Sequence, residues 1–242
     1  TKPNDELSYK NSLSSNINIE GFNLNQTDDY FKVSLNFYQT NQENEDNKII
    51  PTVLPKIKYF SGYQNIFGGI SNSTYEFYNI FREKSSLVHA KEQQKISHKY
   101  NFTKEVVNFN SKITLNTEIY NQAFNTEKKL INSSNYKTGT YYRIFPILGV
   151  NIETPFKMKK YLSKLTFKPR LNAVITPGFS NSNKLSNEDS TNNDFSESNI
   201  NRLNRFSGND KMDNSKRITY GLNVFSQNFK TSLSQSYEFT NN

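Results

Sequence analysis

Apolar and polar residues alternate one for one along stretch after stretch of this chain. A side-chain period of two marks a strand with one oily face. In 30–39, Phe31, Val33, Leu35 and Phe37 alternate with Lys32, Ser34, Asn36 and Tyr38. In 112–120, Ile113, Leu115, Thr117 and Ile119 alternate with Lys112, Thr114, Asn116 and Glu118. The longest run, 161–176, sets Leu165, Phe167, Leu171, Ala173 and Ile175 against Lys164, Thr166, Lys168, Arg170 and Asn172. Pro169 interrupts it, removing one ladder donor, as a bulge or a weak strand pair would. In 215–225, Ile218, Tyr220, Leu222 and Val224 oppose Arg217, Thr219 and Asn223. Weaker alternation fills 17–24, 55–60, 74–82, 95–102, 148–152 and 231–239, and no stretch sustains a helical stripe. The pattern predicts an all-β chain.

The connections add a second regularity. Short ones at 25–29, 61–65, 103–109, 155–160 and 226–228 alternate with long ones at 41–50, 83–94, 121–138 and 178–214. This is the plan of an antiparallel up-and-down transmembrane β-barrel, with tight periplasmic turns and long outer loops. A soluble sandwich has no reason to place every long loop at one end. Runs of nine to sixteen residues also meet the roughly 9–11 that a tilted strand needs to cross a bilayer. A Lys or Arg on the lipid face near mid-membrane costs roughly 2–4 kcal/mol. Lys164, Lys168 and Arg170 are therefore expected to point into a lumen, and Leu165, Phe167, Leu171, Ala173 and Ile175 to meet lipid. About ten strands are expected, with 1–242 lying in one barrel domain and 178–214 forming a long extracellular loop.

Composition narrows the alternatives. Only 33% of residues are apolar, against about 45–50% in a soluble domain. Disordered chains are poor in aromatics, however, and this one holds 15 Tyr and 19 Phe. No window approaches the roughly 18–20 apolar residues of a membrane-spanning helix. The first ten residues show no apolar signal-peptide core. With no Cys, disulfide frameworks and thiolate metal sites are excluded. The net charge of +8 fits nucleic acid, an anionic membrane or merely a Lys- and Asn-rich coding bias. His89 and His98, the two histidines, read as ordinary polar positions, since a His-based metal site or a triad needs placed carboxylates as well. Gly68-Gly69 is too short for a phosphate loop. No catalytic or metal-binding set is expected, no cofactor, and no enzymatic activity.

From 170 to 237 the motifs fall in a distinctive order. Asn187-Glu188-Asp189-Ser190 precedes Phe195-Ser196-Glu197-Ser198-Asn199-Ile200 and Leu203-Asn204-Arg205-Phe206-Ser207-Gly208-Asn209-Asp210. Arg217-Ile218-Thr219-Tyr220-Gly221-Leu222 and Gln235-Ser236-Tyr237 follow. In order and spacing this resembles the lipopolysaccharide-assembly outer-membrane protein family (LptD/OstA). Upstream, the run from Ile50-Pro51 through Leu54-Pro55 to Tyr59, and Arg143-Ile144-Phe145-Pro146 followed by Thr154-Pro155, match in the right order. Departures are Asn209, where the family often has an aromatic, Lys211, where it often has Arg, and Ser234, where Gly is usual.

The resemblance implies a mid-barrel fragment of a non-enzymatic translocon in the bacterial outer membrane. Its implied partners are lipopolysaccharide, outer-membrane lipid, a lipoprotein plug (LptE-like) and a periplasmic bridge protein (LptA-like), with no nucleic acid. The family motif residues are Asn187, Glu188, Asp189, Ser190, Asn199, Asn204, Arg205, Phe206, Gly208, Asp210, Arg217, Tyr220 and Gly221. Glu188, Asp189, Asp194, Glu197 and Asp210 make the long loop acidic. That composition suits a divalent cation or a loop stitched by Asp/Arg pairs among Asp189, Asp210 and Arg205. Gly221 is expected to leave room for a plug or a folded-in loop. A general porin or other transport barrel shares the topology without the loop motifs, and a soluble β-rich or nucleic-acid-binding protein shares the charge and aromatics.

Overall fold

A computed structural model describes residues 12–25, 28–40, 47–132, 134–158, 165–178, 181–190, 199–226 and 228–240. Its strands are β1 (Ser12–Phe22), β2 (Tyr30–Thr40), β3 (Thr52–Phe60), β4 (Gln64–Ile66), β5 (Gly69–Phe81) and β6 (Glu92–Asn108). They continue as β7 (Ser111–Leu130), β8 (Tyr136–Glu153), β9 (Phe156–Lys157), β10 (Thr166–Ile175), β11 (Lys216–Phe225) and β12 (Lys230–Glu238). All join one antiparallel sheet in the order β1-β2-β3-β5-β6-β7-β8-β10-β11-β12, with β4 beside β5 and β9 beside β10. The sheet is not closed: β1 and β12 are its edges. Among the described residues there is no α-helix, only a 3-10 turn at Asn47–Ile49. The all-β, up-and-down expectation holds.

Three connections differ from the sequence expectation. The span 121–138 is not a long loop. β7 and β8 continue through it and reverse only at 131–135. Here Asn121, Gln122, Asn125 and Thr126 put polar groups on both faces. The oily alternation therefore vanishes while the backbone ladder persists. Likewise β6 runs to Asn108 and turns on Phe109-Asn110, whose φ values of 46° and 62° are those of a two-residue type I′ hairpin. The connection expected at 83–94 spans 82–91.

The sheet has two unlike faces. On one, Tyr120, Phe145, Ile147, Val174 and Met212 form a buried cluster with Leu203 packed against it. Met212 and Leu203 come from the β10–β11 connection, so a loop covers this face. On the other, Ile96, Ile144, Leu148, Leu171, Ile175, Ile218 and Leu233 stand exposed. So large an uncovered apolar surface does not belong in water.

Register decides which strand residues share a face. Pairing of Phe167 with Val224, Leu171 with Tyr220 and Ala173 with Ile218 puts the oily halves of β10 and β11 together. One irregularity matters later. Along β7, Tyr120, Gln122, Phe124 and Thr126 are buried, and then the register slips between Thr126 and Lys129. Lys128 occupies the left-handed region at φ 50°, and the next buried residue is Lys129.

Candidate functional site

The described parts of the β10–β11 connection, 176–178, 181–190 and 199–215, lie on the covered face, and four cations from the sheet and its loops hold them there. Arg82, just past β5, grips Glu188 with both guanidinium arms, Nη1 to Oε1 at 2.9 Å and Nη2 to Oε2 at 2.6 Å. The same guanidinium donates to the carbonyls of Ile49 and Ala90, tying two further connections to the loop. Such a planar fork suits a carboxylate better than an ammonium would.

Lys95 is the centre. Its side chain is fully buried, with Nζ 2.5 Å from Asp210 Oδ1 and 3.6 Å from Asp189 Oδ2. The rings of Tyr78 and Phe124 lie 5.3 and 5.6 Å from the ammonium, within cation–π range. Tyr78 also donates its hydroxyl to Asp210 at 3.2 Å. Asp210 Oδ2 accepts the backbone N–H groups of Glu188 and Asp189 at 2.7 and 3.2 Å. Arg143 on β8 donates to the carbonyls of Asn209 and Asp210, both at 2.9 Å. At the start of β11, Arg217 pairs with Asp213 at 2.9 Å and donates to the carbonyls of Arg202 and Leu203.

Within the loop, the two motif segments close on each other. Asp189 Oδ1 accepts the N–H of Asn209 and Asp210, and Ser190 Oγ accepts those of Asp210 and Lys211. Asn187 and Ser190 complete a local turn, Nδ2 to carbonyl and N–H to Oδ1. Asn204 spans its own turn, donating to the Gly208 carbonyl and accepting from the Asp213 N–H. Gly208 is where the segments touch: a Cβ there would sit 2.3 Å from the Asp189 carbonyl oxygen. We expect Gly208→Ala to cost about 1–3 kcal/mol through overpacking against backbone. Unfolding by denaturant in detergent checks this, and an unchanged midpoint would refute the contact.

Burial alone would push the Glu188 carboxyl up, but the His89 ring 3.6 Å away and the hydrogen bonds and charge of Arg82 bring it down to about 2. A depressed carboxylate stabilises above its unfolded value near 4.5 and loses that contribution as pH falls through about 2. Pepsin sensitivity of the loop should therefore rise between these limits. In Glu188→Gln that pH dependence should be absent, and an identical profile would discount the pair.

The sequence-singled residues divide between places. Glu188, Asp189 and Asp210 meet Arg82 and Lys95 in one ion-paired latch, Arg217 holds Asp213 at the other end of the loop, and Arg205 joins neither Asp189 nor Asp210. It pairs with Asp213 at 2.5 Å and Glu238 at 3.1 Å, because its turn points toward the β11–β12 end. Among the described residues no cluster of three or more metal-ligating side chains exists. Asp194, Glu197 and Lys164 lie outside the described residues. Lys168 pairs with Glu153, and Arg170 donates to Ser234 Oγ, both on the covered side of their strands. Leu171, Ala173 and Ile175 are exposed on the opposite side, with Leu165 and Phe167 half-buried. Asn199 is buried in the loop, and the Phe206 ring lies 5.8 Å from the Lys211 ammonium. Tyr220 faces outward and donates to Gln235. Gly221 makes room for β12, whose Leu233 carbonyl would lie 2.6 Å from a Cβ. The glycine that does admit the loop is Gly149, where Leu203 occupies the Cβ position within 2.3 Å.

Sequence reasoning missed Arg82, Lys95 and Gly149, and met Arg143 only as part of a family motif. Their one signal was parity: Lys95 and Arg143 occupy the covered side of long strands, where a cation needs an anion opposite. The model of the family described as LPS transport system D (LptD) matches residues 5–242. No curated protein matches the chain.

Proposed function

Because the chain belongs to the LptD family of lipopolysaccharide-transport proteins, we propose that it forms wall and lumen of an outer-membrane translocon that inserts lipopolysaccharide into the outer leaflet. One observation carries this reading: a single sheet with one face oily and bare and the other polar and covered by its own ion-paired loop. In hydrocarbon every backbone polar group needs a partner, which a strand ladder supplies. Leu165, Phe167, Leu171, Ala173 and Ile175 then meet acyl chains, while Lys168, Arg170 and, by parity, Lys164 face the lumen. The described segments 181–190 and 199–214 of the outer loop then lie inside and narrow the lumen. The family's partners, a lipoprotein plug and a periplasmic bridge protein, extend the same reading, and the work is transfer of an amphiphile rather than bond chemistry.

The test is single-cysteine labelling in native outer membranes with a lipid-phase maleimide. Cysteine at Leu171 should react and cysteine at Lys168 should not. Reaction at Lys168 with protection at Leu171 would reverse the faces and remove the membrane assignment.

A further inference from the structure

β8 runs for 18 residues and β10, beside it, for 10. The two pair only where 148–153 meets 170–175. Over 136–147, β8 keeps its ladder with β7 on one side. On the other side, among the described residues, no backbone bond reaches it. Pro177, just past the end of β10, has no N–H and stops that strand from climbing further. A long bare strand edge is left on the outer rim, at the end from which the β10–β11 connection leaves. We propose that this edge takes up an extended segment of another polypeptide as an added strand, with apolar residues alongside Tyr142 and Ile144 and carboxylates toward Lys137.

Proteins usually blunt a sheet edge with lysine, proline or a very short strand. Here Lys137 and Pro146 guard only the two ends of the stretch. Arg143, between them, is turned to the covered face and spends its donors on Gln122 and two loop carbonyls. On the open face Tyr142 and Ile144 are 80% and 66% exposed. Cross-strand pairs with aromatic and β-branched side chains stabilise a sheet, and these two have no neighbour on the β10 side.

Charge sets the other half of the incoming strand. The stretch 136–152 contains no acidic residue. The slip in β7 sets Lys129 opposite Lys137 across the ladder, and of the charges in 121–130 only Glu127 is negative. The acid beside Arg143, Asp210, is already paired with Lys95. Carboxylates on the Lys137 side are therefore favoured. A second copy of this chain does not fit. Two copies in one membrane share an orientation, so their β8 edges would run parallel. The oily face of one sheet would then continue the covered face of the other. A separate extended segment has neither constraint. The bare edge itself is independent of the transport reading.

The probe is an acetylated, amidated peptide of alternating valine and glutamate, about ten residues long, added to the detergent-purified protein. Hydrogen exchange of 136–147 is followed by mass spectrometry. Without peptide this stretch should exchange faster than 148–153, which is paired on both sides. The peptide should slow it, and Lys137→Gln should weaken that binding about 2- to 5-fold. The fully N-methylated peptide, which has no backbone donors, should protect nothing, and a valine–lysine peptide should protect less. Exchange of 136–147 as slow as that of 148–153 without peptide would mean that the edge is already covered, and would overturn the proposal. No protection by the valine–glutamate peptide overturns it as well. Equal protection by the N-methylated or the valine–lysine peptide, or unchanged binding to Lys137→Gln, reduces the effect to unspecific adhesion and counts the same way.

Discussion

Lys95→Ala is expected to release the 176–215 loop from the sheet. Removing the ammonium leaves Asp210 buried against Tyr78, with Asp189 close by and no cation between them. Breaking a buried pair from one side costs about 3–5 kcal/mol, because the abandoned charge stays desolvated. The loop should become a trypsin substrate at Lys184, Arg205 and Lys211 while the strands stay resistant. The paired change Lys95→Met with Asp210→Asn should recover part of the loss, since neither partner then strands a charge. A single variant that keeps the loop protected would show that Arg82, Arg143 and Arg217 suffice without it.

Leu171→Arg is expected to fail in membrane assembly. Leu171 is 45% exposed on the open face, near the middle of β10. A guanidinium at the mid-plane of the lipid face costs roughly 2–4 kcal/mol, added to the lost burial of the leucine. Lys168→Arg, three residues earlier and on the covered face, retains the charge and should assemble normally. The yield of folded, heat-modifiable protein in outer membranes separates the two. If Leu171→Arg assembles as well as Lys168→Arg, the oily face does not touch lipid.

Much of the wall was legible from alternation alone, because in a one-sheet fold each strand's faces meet different solvents. Where β7 and β8 run beyond the oily zone, the signal failed. In 121–130 polar residues stand on both faces, with Phe124 the one large apolar side chain buried, so a ladder of backbone bonds leaves little trace in residue type. The latch was half legible. Glu188, Asp189 and Asp210 stood out as an acidic group, but their cations lie about a hundred residues upstream. Arg82 is 106 residues from Glu188 and Lys95 is 115 from Asp210, and no local pattern links them. Arg205, nearer in sequence, drew the wrong pairing. Gly149 and Gly221 look alike as strand glycines, yet one receives Leu203 and the other a neighbouring strand. Only the three-dimensional neighbour decides.

Those separations set an order of events. A contact across more than a hundred residues repays its closure entropy only after the intervening chain is organised. Arg82, Lys95 and Arg143 reach one small loop from three different places in the wall. The loop therefore seats only when β5 through β11 are already side by side. A misplaced or missing strand anywhere from β5 to β8 would take one of these cations away and leave its carboxylate or carbonyl partner in the loop unmatched.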